Sequence, residues 1–160
     1  MHLMFDKTAT AKKDGDIYGG ANVWFYKKEG ADLYVLFQKR AQNVHNGGFY
    51  DSSSGGHLEE GEAPLSAALR ETKEEIGVSL SPNDLDFLCS YIVRDKLCFM
   101  YLSDRTNKND AFTLDPEEVD SLEWVSLADF EDFWQKNVKP CLRDDWLHHE
   151  VLKHQLEKLA

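Results

Sequence analysis

The sequence predicts an α/β domain in which a central mixed β-sheet is covered by helices on both faces. Short β-rich segments are interleaved along the chain with amphipathic helical segments, which is the order typical of layered α/β domains. One β-rich segment, Asp32–Arg40, is apolar on both faces, as is expected of an inner strand covered from two sides. The length of 160 residues, with 42% hydrophobic residues, suits a single domain over residues 1–160 with one sizeable core.

The first half of the chain is predicted to supply strands and the best-marked helix. Residues 1–16 are mixed polar and either stay loose or add an edge strand. The β-rich segments GANVWFY and DLYVLFQKR follow, separated by the turn-like KKEG. The segment AQNVHNGGFYDSSSGGHLEEGE then has the composition of a loop, with a short strand near Phe49–Ser53.

The segment APLSAALRETKEEIGV carries the strongest helix signal in the chain. Pro64 suits a first helical turn, and Gly77 suits the stop at the C-terminal end. Helical spacing groups the less polar residues on one stripe, which faces the core. The stripe consists of Leu65, Ala68, Leu69, Thr72 and Ile76.

The second half of the chain is predicted to add a hairpin, a further strand and two helices. LDFLCSYIV and KLCFMYLS flank Arg94 and Asp95, which form the turn of the hairpin. SLEWVSL is the next strand, and LADFEDFWQKN after it is a short amphipathic helix. A C-terminal helix covers residues 144–159. Its apolar stripe could pack on its own domain or on a second copy, so a homodimer stays open.

The charge of the chain argues against several classes of partner. Eighteen basic and 29 acidic residues give a net charge of −11, which argues against binding to nucleic acid or to anionic membranes. No apolar run of about 18 residues predicts a membrane span, and the N-terminal segment has no apolar core typical of a secretory signal. The three cysteines lack metal-binding spacing and are expected to be free thiols. We therefore expect a cytoplasmic protein.

Three carboxylates on the predicted helix form the candidate site. Glu71, Glu74 and Glu75 stand at i, i+3 and i+4 and share one face. Their mutual repulsion would be offset by a divalent cation such as Mg²⁺ or Mn²⁺, which prefers oxygen ligands. Gly55 and Gly56 just upstream allow close approach of the backbone to a ligand.

The segment GHLEEGEAPLSAALRETKEEIGV resembles the Nudix box, G-x5-E-x7-R-E-U-x-E-E-x-G-U, where U is a bulky aliphatic residue. All but one of the box positions fit, and the exception is Thr72 at the first U. The resemblance implies an α/β/α sandwich of the Nudix type around a mixed sheet. The matching residues are Gly56, Glu62, Arg70, Glu71, Glu74, Glu75, Gly77 and Val78.

The resemblance also implies an activity: metal-dependent hydrolysis, by water attack at phosphorus, of a nucleoside diphosphate linked to another moiety or of a related small diphosphate. Its metal ligands would be Glu71, Glu74, Glu75 and the carbonyl of Gly55, with Mg²⁺ or Mn²⁺ as the cofactor. Its catalytic residues would be Arg70, Glu71 and Glu74, with either of the last two as general base. Gly56, Glu62 and Gly77 would be structural, with Gly56 also near the substrate.

Three further groups of residues bear on the site. Glu117 and Glu118 either supply a later acid to the site or belong to a solvated acidic loop. Lys39 and Arg40 either bind a substrate phosphate or are ordinary charges at a strand end. The C-terminal histidines lack a metal-binding pattern and are expected to have surface or packing roles; they are His148, His149 and His154.

Two alternatives remain open beside hydrolysis. The segment upstream of the box is similar to the branch of the family related to isopentenyl diphosphate isomerase. That reaction needs a cysteine just before the box, where this chain has Ser52, Ser53 and Ser54. A serine is far too weak an acid to replace it, so hydrolysis is favoured over isomerisation. The second alternative is a module that senses a nucleotide without cleaving it.

Overall fold

The protein is described by a computed structural model that covers residues 2–4, 16–93 and 96–160. Within these residues the strands form one mixed sheet, with the path β4-β3-β2-β7-β6 and β1, β5 and β8 joined to it at the sides. The strands are β1 (His2–Met4), β2 (Asp16–Glu29), β3 (Asp32–Arg40), β4 (Tyr50–Asp51), β5 (Ser54–His57), β6 (Asp86–Val93), β7 (Lys96–Asp104) and β8 (Val119–Ser126).

Four α-helices and a single 3₁₀ turn accompany the sheet in the described ranges. The helices are α1 (Pro64–Ile76), α2 (Phe130–Asn137), α3 (Pro140–Arg143) and α4 (Trp146–Leu159), and the 3₁₀ turn is Pro82–Asp84. Pro64 begins α1, and Gly77 ends it in the left-handed conformation, with φ of 75°. Both were predicted from the sequence, because proline lacks the N–H that a first turn leaves unpaired and glycine tolerates positive φ.

The helices cover both faces of the sheet, as predicted. Successive side chains of β2 alternate between two apolar clusters: Val23 and Phe25 pack on the α1 side, whereas Trp24 packs with α2 and α4 on the other. This alternation follows from the two-residue period of a strand. The α/β class with a mixed central sheet and helices on two sides is therefore confirmed.

Several elements differ from the sequence-based expectation. The short strand predicted near Phe49–Ser53 is present as β4, which is limited to Tyr50–Asp51 and pairs with β3, and the unpredicted strand β5 follows it and pairs with β2. Strand β1 pairs with β2 in parallel, which is the edge addition considered for the N-terminal residues. The short helix α3 was not predicted, because four residues are too few to show helical periodicity. The predicted turn at Arg94 and Asp95 lies outside the described residues.

None of the helices in the described part of the chain combines the length and apolarity needed to cross a membrane.

Candidate functional site

Two glycines bring strand β5 against helix α1. Gly55 and Gly56 pair with Asn22 and Ala21 of β2, which holds this strand beside the helix. A Cβ on Gly55 would lie 2.6 Å from the carbonyl oxygen of Ala21, and a Cβ on Gly56 would overlap the carboxylate of Glu71. Only glycine therefore allows the close approach of this strand to the helix carboxylates.

Arg70 is the centre of the ionic network on α1. Its guanidinium donates two hydrogen bonds to Glu62, at 2.8 and 3.0 Å, and one to the carbonyl of His57, at 3.1 Å. It also donates to Glu71 at 2.7 Å and to Glu74 at 3.0 Å. The bonds to Glu62 raise the pKa of Arg70 above its ordinary value. The hydrogen bonds between Arg70 and Glu62 thus tie the loop before α1 to the helix.

Glu75 is the buried carboxylate of the helix. Its side chain lies among residues that exclude water, with 4% of the residue exposed. One carboxylate oxygen, Oε2, accepts hydrogen bonds from Nε2 of Gln38 at 2.9 Å and from the backbone N–H of Gly55 at 3.0 Å. Burial raises the pKa of Glu75 to about 8, and the two hydrogen bonds oppose that rise only in part. A cation at this carboxylate would remove the cost of burying its charge.

A pocket of about 170 Å³ collects most of the candidate residues. It is lined by Gly55, Gly56, His57, Arg70, Glu71, Glu74 and Glu118, and we call it the carboxylate pocket. Burial raises the pKa of Glu71 despite the nearby Arg70, and the charges of Glu74 and Glu118 act in the same direction. Glu118 therefore faces the helix carboxylates. Glu117, its neighbour, is not among the residues that line the pocket.

The donor chemistry of the carboxylate pocket suits a hard divalent cation, but the carboxylates have other partners. Glu71 and Glu74 are turned towards Arg70, and Glu75 towards Gln38 and Gly55. In this arrangement no group of three acidic, histidine or cysteine side chains among the described residues converges on a metal position. Rotation of Glu71 and Glu74 away from Arg70 would free oxygen ligands of the type that Mg²⁺ prefers.

Lys39 and Arg40 lie elsewhere. Arg40 binds Asp51 and the carbonyl of His45, at 3.2 and 2.9 Å, and the amine of Lys39 lies 3.7 Å from Asp120. Neither lines the carboxylate pocket. Their neighbour Gln38, which sequence reasoning did not assign to the site, instead contacts Glu75. The alternation of β3 contains the signal, because Gln38 stands two residues after Leu36, which faces α1.

Ser54 explains the single departure from the motif at Thr72. Both residues are fully buried. The Thr72 hydroxyl donates to the carbonyl of Ala68 at 2.7 Å, so the hydroxyl of Ser54, also 2.7 Å away, donates to Thr72. A polar residue at position 72 is therefore matched by a polar partner on β5.

We expect Thr72→Val to lower the free energy of unfolding by about 1 kcal/mol, because the buried Ser54 hydroxyl loses its acceptor. Urea denaturation measures this change. The double variant Ser54→Ala/Thr72→Val should recover most of the loss, since no polar group is then left unpaired. Additive losses in the double variant would contradict the assigned hydrogen bond.

The C-terminal histidines have the packing and surface roles that were predicted. His148 and His149 are buried in α4, whereas His154 is exposed. Nε2 of His148 accepts a hydrogen bond from the indole N–H of Trp24 at 2.9 Å, so the proton of the neutral ring is on Nδ1, which lies 2.5 Å from the hydroxyl of Tyr91. Tyr91 in turn donates to Asp145 at 3.1 Å. This chain of hydrogen bonds joins α4 to the sheet.

Comparison with known proteins agrees with the motif and the fold. A family model for the NUDIX domain matches residues 19–144. An uncharacterised Nudix hydrolase of Clostridium acetobutylicum is 25% identical over 151 residues, which cover 85% of this chain and 70% of that protein. An isopentenyl-diphosphate Δ-isomerase of Cutibacterium acnes is 29% identical over 134 residues, which cover 74% of this chain and 65% of the isomerase.

Solved structures share the architecture. The NUDIX domain of NrtR from Shewanella oneidensis, crystallised with ADP ribose, superposes with a TM-score of 0.67 over 98% of this chain and 94% of that domain. The sequence identity of 18% limits this likeness to the fold.

Proposed function

Because the chain belongs to the NUDIX domain family and is a Nudix hydrolase, we propose that it uses Mg²⁺ or Mn²⁺ to hydrolyse a diphosphate linkage in a nucleoside diphosphate derivative or a related small diphosphate. One observation supports this proposal above the others. Gly55, Gly56, Arg70, Glu71 and Glu74 line one pocket, with the carboxylate of Glu75 hydrogen-bonded to the Gly55 amide. One substrate could therefore contact carboxylate oxygens, an arginine and the backbone of two glycines at the same place.

The residues in and next to the carboxylate pocket would have different roles. Glu71, Glu74, Glu75 and the carbonyl of Gly55 would hold the cation. When bound, the cation supplies charge neutralisation for the diphosphate and a lower pKa for the attacking water. Arg70, released from Glu71 and Glu74, would hold the loop through Glu62 and direct its remaining N–H groups at a phosphate oxygen.

A carboxylate must accept the proton of the attacking water. Glu71, Glu74 and Glu118 are the candidates, because all three line the carboxylate pocket. The backbone of Glu118 is fixed independently of its side chain: its carbonyl accepts from the N–H of Ala41 at 2.9 Å. The side chain can therefore be changed without loss of that contact.

We expect Glu118→Gln to lower kcat by about 100-fold, within the range of general-base contributions, whereas Glu117→Gln changes it less than about twofold. The two variants are a matched pair, since they remove the same charge from adjacent residues and only Glu118 lines the pocket. Steady-state kinetics of both variants at saturating Mg²⁺ test this. Equal losses in the two would exclude a specific role for Glu118.

A panel of substrates tests the proposed reaction. Dinucleotides, nucleoside triphosphates, sugar nucleotides and prenyl diphosphates are incubated with the protein and Mg²⁺, and the products are identified. The proposal predicts turnover of at least one diphosphate, loss of turnover in EDTA, and incorporation of ¹⁸O from labelled water into a phosphate product. Failure of every member of the panel would overturn it.

Two other outcomes of the panel would point to different functions. Formation of an allylic isomer from a prenyl diphosphate would favour isomerisation, the reaction named for the C. acnes relative. Against that outcome, Ser52, Ser53 and Ser54 are buried, and no cysteine of the described ranges lines the carboxylate pocket. Tight binding without turnover would favour a nucleotide sensor.

We place the protein in the cytoplasm as a single domain acting on a small diphosphate, without nucleic-acid or membrane partners. The three cysteines are free, which suits a reducing compartment, and the net charge of −11 disfavours polyanionic partners. Exposed Trp146 and Leu147 at the start of α4 are compatible with a homodimer, which size-exclusion chromatography with light scattering would detect.

A further inference from the structure

A second cavity lies on the face of the sheet opposite to the carboxylate pocket. Its volume is about 210 Å³, and its lining includes Asn22, Lys96, Cys98, Lys139 and Leu142. Cys98 and Leu142 belong to the apolar cluster on the α4 side of the sheet. The cavity thus enters the α4 side, whereas α1 and its carboxylates cover the other.

The two cavities share a boundary on strands β2 and β5. Asn22, which lines the second cavity, is the register partner of Gly55, which lines the carboxylate pocket. The Nζ of Lys96 and the carbonyl oxygen of Gly56 lie 3.2 and 3.3 Å from the position that a Cβ on Gly20 would occupy. An extended ligand could therefore contact the carboxylate pocket and the ammonium of Lys96 together.

Lys96 differs from the other charged groups of the second cavity. The ammonium of Lys139 pairs with Asp51, which also binds Arg40. Asp145 accepts from the hydroxyl of Tyr91 and from the backbone N–H of His148. Lys96 makes no hydrogen bond or ion pair with any residue in the described part of the chain. It is a half-buried cation, and an anion bound to it would break no pair with another described residue.

The shape and lining of the second cavity favour a small anion over a nucleoside. Its volume is below the roughly 300 Å³ at which typical organic-ligand pockets begin. Two of the described lining residues carry aromatic rings, Tyr91 and His148. Both are buried, and they are hydrogen-bonded to each other. Neither offers an open face on which a base could stack. Ammonium and amide groups, such as those of Lys96 and Asn22, are suited to phosphate oxygens.

We propose that the second cavity is a phosphate subsite with Lys96 as its binding residue, and that the substrate carries a phosphomonoester remote from the diphosphate that is cleaved. The assignment of this phosphate to the substrate rests on the proposed function. The existence of the subsite does not, because it needs neither a metal nor turnover.

A binding experiment without metal tests the subsite itself. ¹⁵N-labelled protein in EDTA is titrated with inorganic phosphate, and amide shifts are followed by NMR. We expect saturable shifts at Asn22 and Cys98, with affinity at least about tenfold weaker in Lys96→Met. Lys136→Met is the control, since that lysine is exposed and pairs with Asp132. Absence of wild-type shifts at Asn22 and Cys98, or unchanged affinity in Lys96→Met, would overturn the proposal.

A kinetic experiment tests the link to the substrate. A sugar 1-diphosphate is compared with the same compound carrying a phosphate at the far end. Lys96→Met should raise KM about tenfold for the phosphorylated compound, with kcat within about twofold, and leave the other compound unchanged. Equal effects of Lys96→Met on both compounds would show that Lys96 does not recognise a phosphate at the far end of the substrate. If the wild type hydrolyses neither compound, the assignment of the phosphate to the substrate fails. The binding experiment alone then decides whether the subsite exists.

Discussion

Replacement of Glu75 by glutamine should lower kcat for diphosphate hydrolysis by about 1000-fold, equivalent to about 4 kcal/mol of transition-state stabilisation, and leave the fold intact. Both hydrogen bonds to this side chain end on the same oxygen, Oε2. The carbonyl oxygen of glutamine can accept both bonds, from Gln38 and Gly55, so the local packing is kept. The negative charge that a divalent cation requires is lost.

The stability of this variant separates a functional loss from a structural one. Burial raises the pKa of Glu75 from an unfolded value of 4.5 to about 8 in the metal-free protein, so the stability that this residue contributes is lost as the pH rises from about 4.5 to about 8. Glutamine cannot ionise, and the metal-free variant should therefore be at least as stable as the wild type at pH 8. Thermal melts and Mg²⁺ titrations of activity measure the two effects, with Glu60→Gln, an exposed residue of the preceding loop, as the control. Wild-type kcat in Glu75→Gln would contradict the assignment.

Acidification from pH 7 to pH 5 should cost about 2 kcal/mol of stability through His148 alone. The pKa of this imidazole is lowered from an unfolded value of 6.5 to about 3, chiefly by burial. The charge of Asp51 opposes this shift, whereas the charges of Lys139, Lys96 and His149 add to it. Below pH 6.5 the unfolded chain thus binds more protons than the folded one. Stability therefore falls as the pH drops from 6.5 towards 3.

His148→Gln should remove this contribution. Glutamine does not titrate in this range and can accept from Trp24 while donating to Tyr91. Urea denaturation of the wild type and of His148→Gln at pH 7 and pH 5 gives the difference in pH dependence. His154→Gln is the matched control, because His154 lies exposed on the same helix. The same pH dependence in the wild type and His148→Gln would show that the imidazole is not held neutral.

The sequence predicted the helix carboxylates and their arginine because these residues are contiguous and follow helical spacing. Glu62, Arg70, Glu71 and Glu74 are brought together by the loop and helix of one segment. The fold class followed from the order of elements and from alternation in the strands. In these cases a local pattern carried the information.

Residues that reach the site through the sheet were harder to predict. Gln38 contacts Glu75 because β3 places it under α1. For Glu118 the sequence left two roles open, and only the fold shows that this residue lines the carboxylate pocket. The subsite residue Lys96 is near Gly56 only through the parallel pairing of β2 with β7. The alternation of β3 shows which face of the sheet Gln38 takes, but which groups meet on that face depends on strand order, which a single sequence does not encode as a local pattern.

The pairing of β2 with β7 also constrains when the protein can acquire its structure during synthesis. The two strands run side by side from Tyr18–Lys96 to Tyr26–Asp104, so the middle of the sheet cannot close until the ribosome has released the chain beyond Asp104. Helix α1 and its acidic residues leave the ribosome earlier, before the middle of the sheet beneath the helix has formed. Such long-range closure is slow, and truncated nascent chains that end before β7 would carry the complete motif but no organised site.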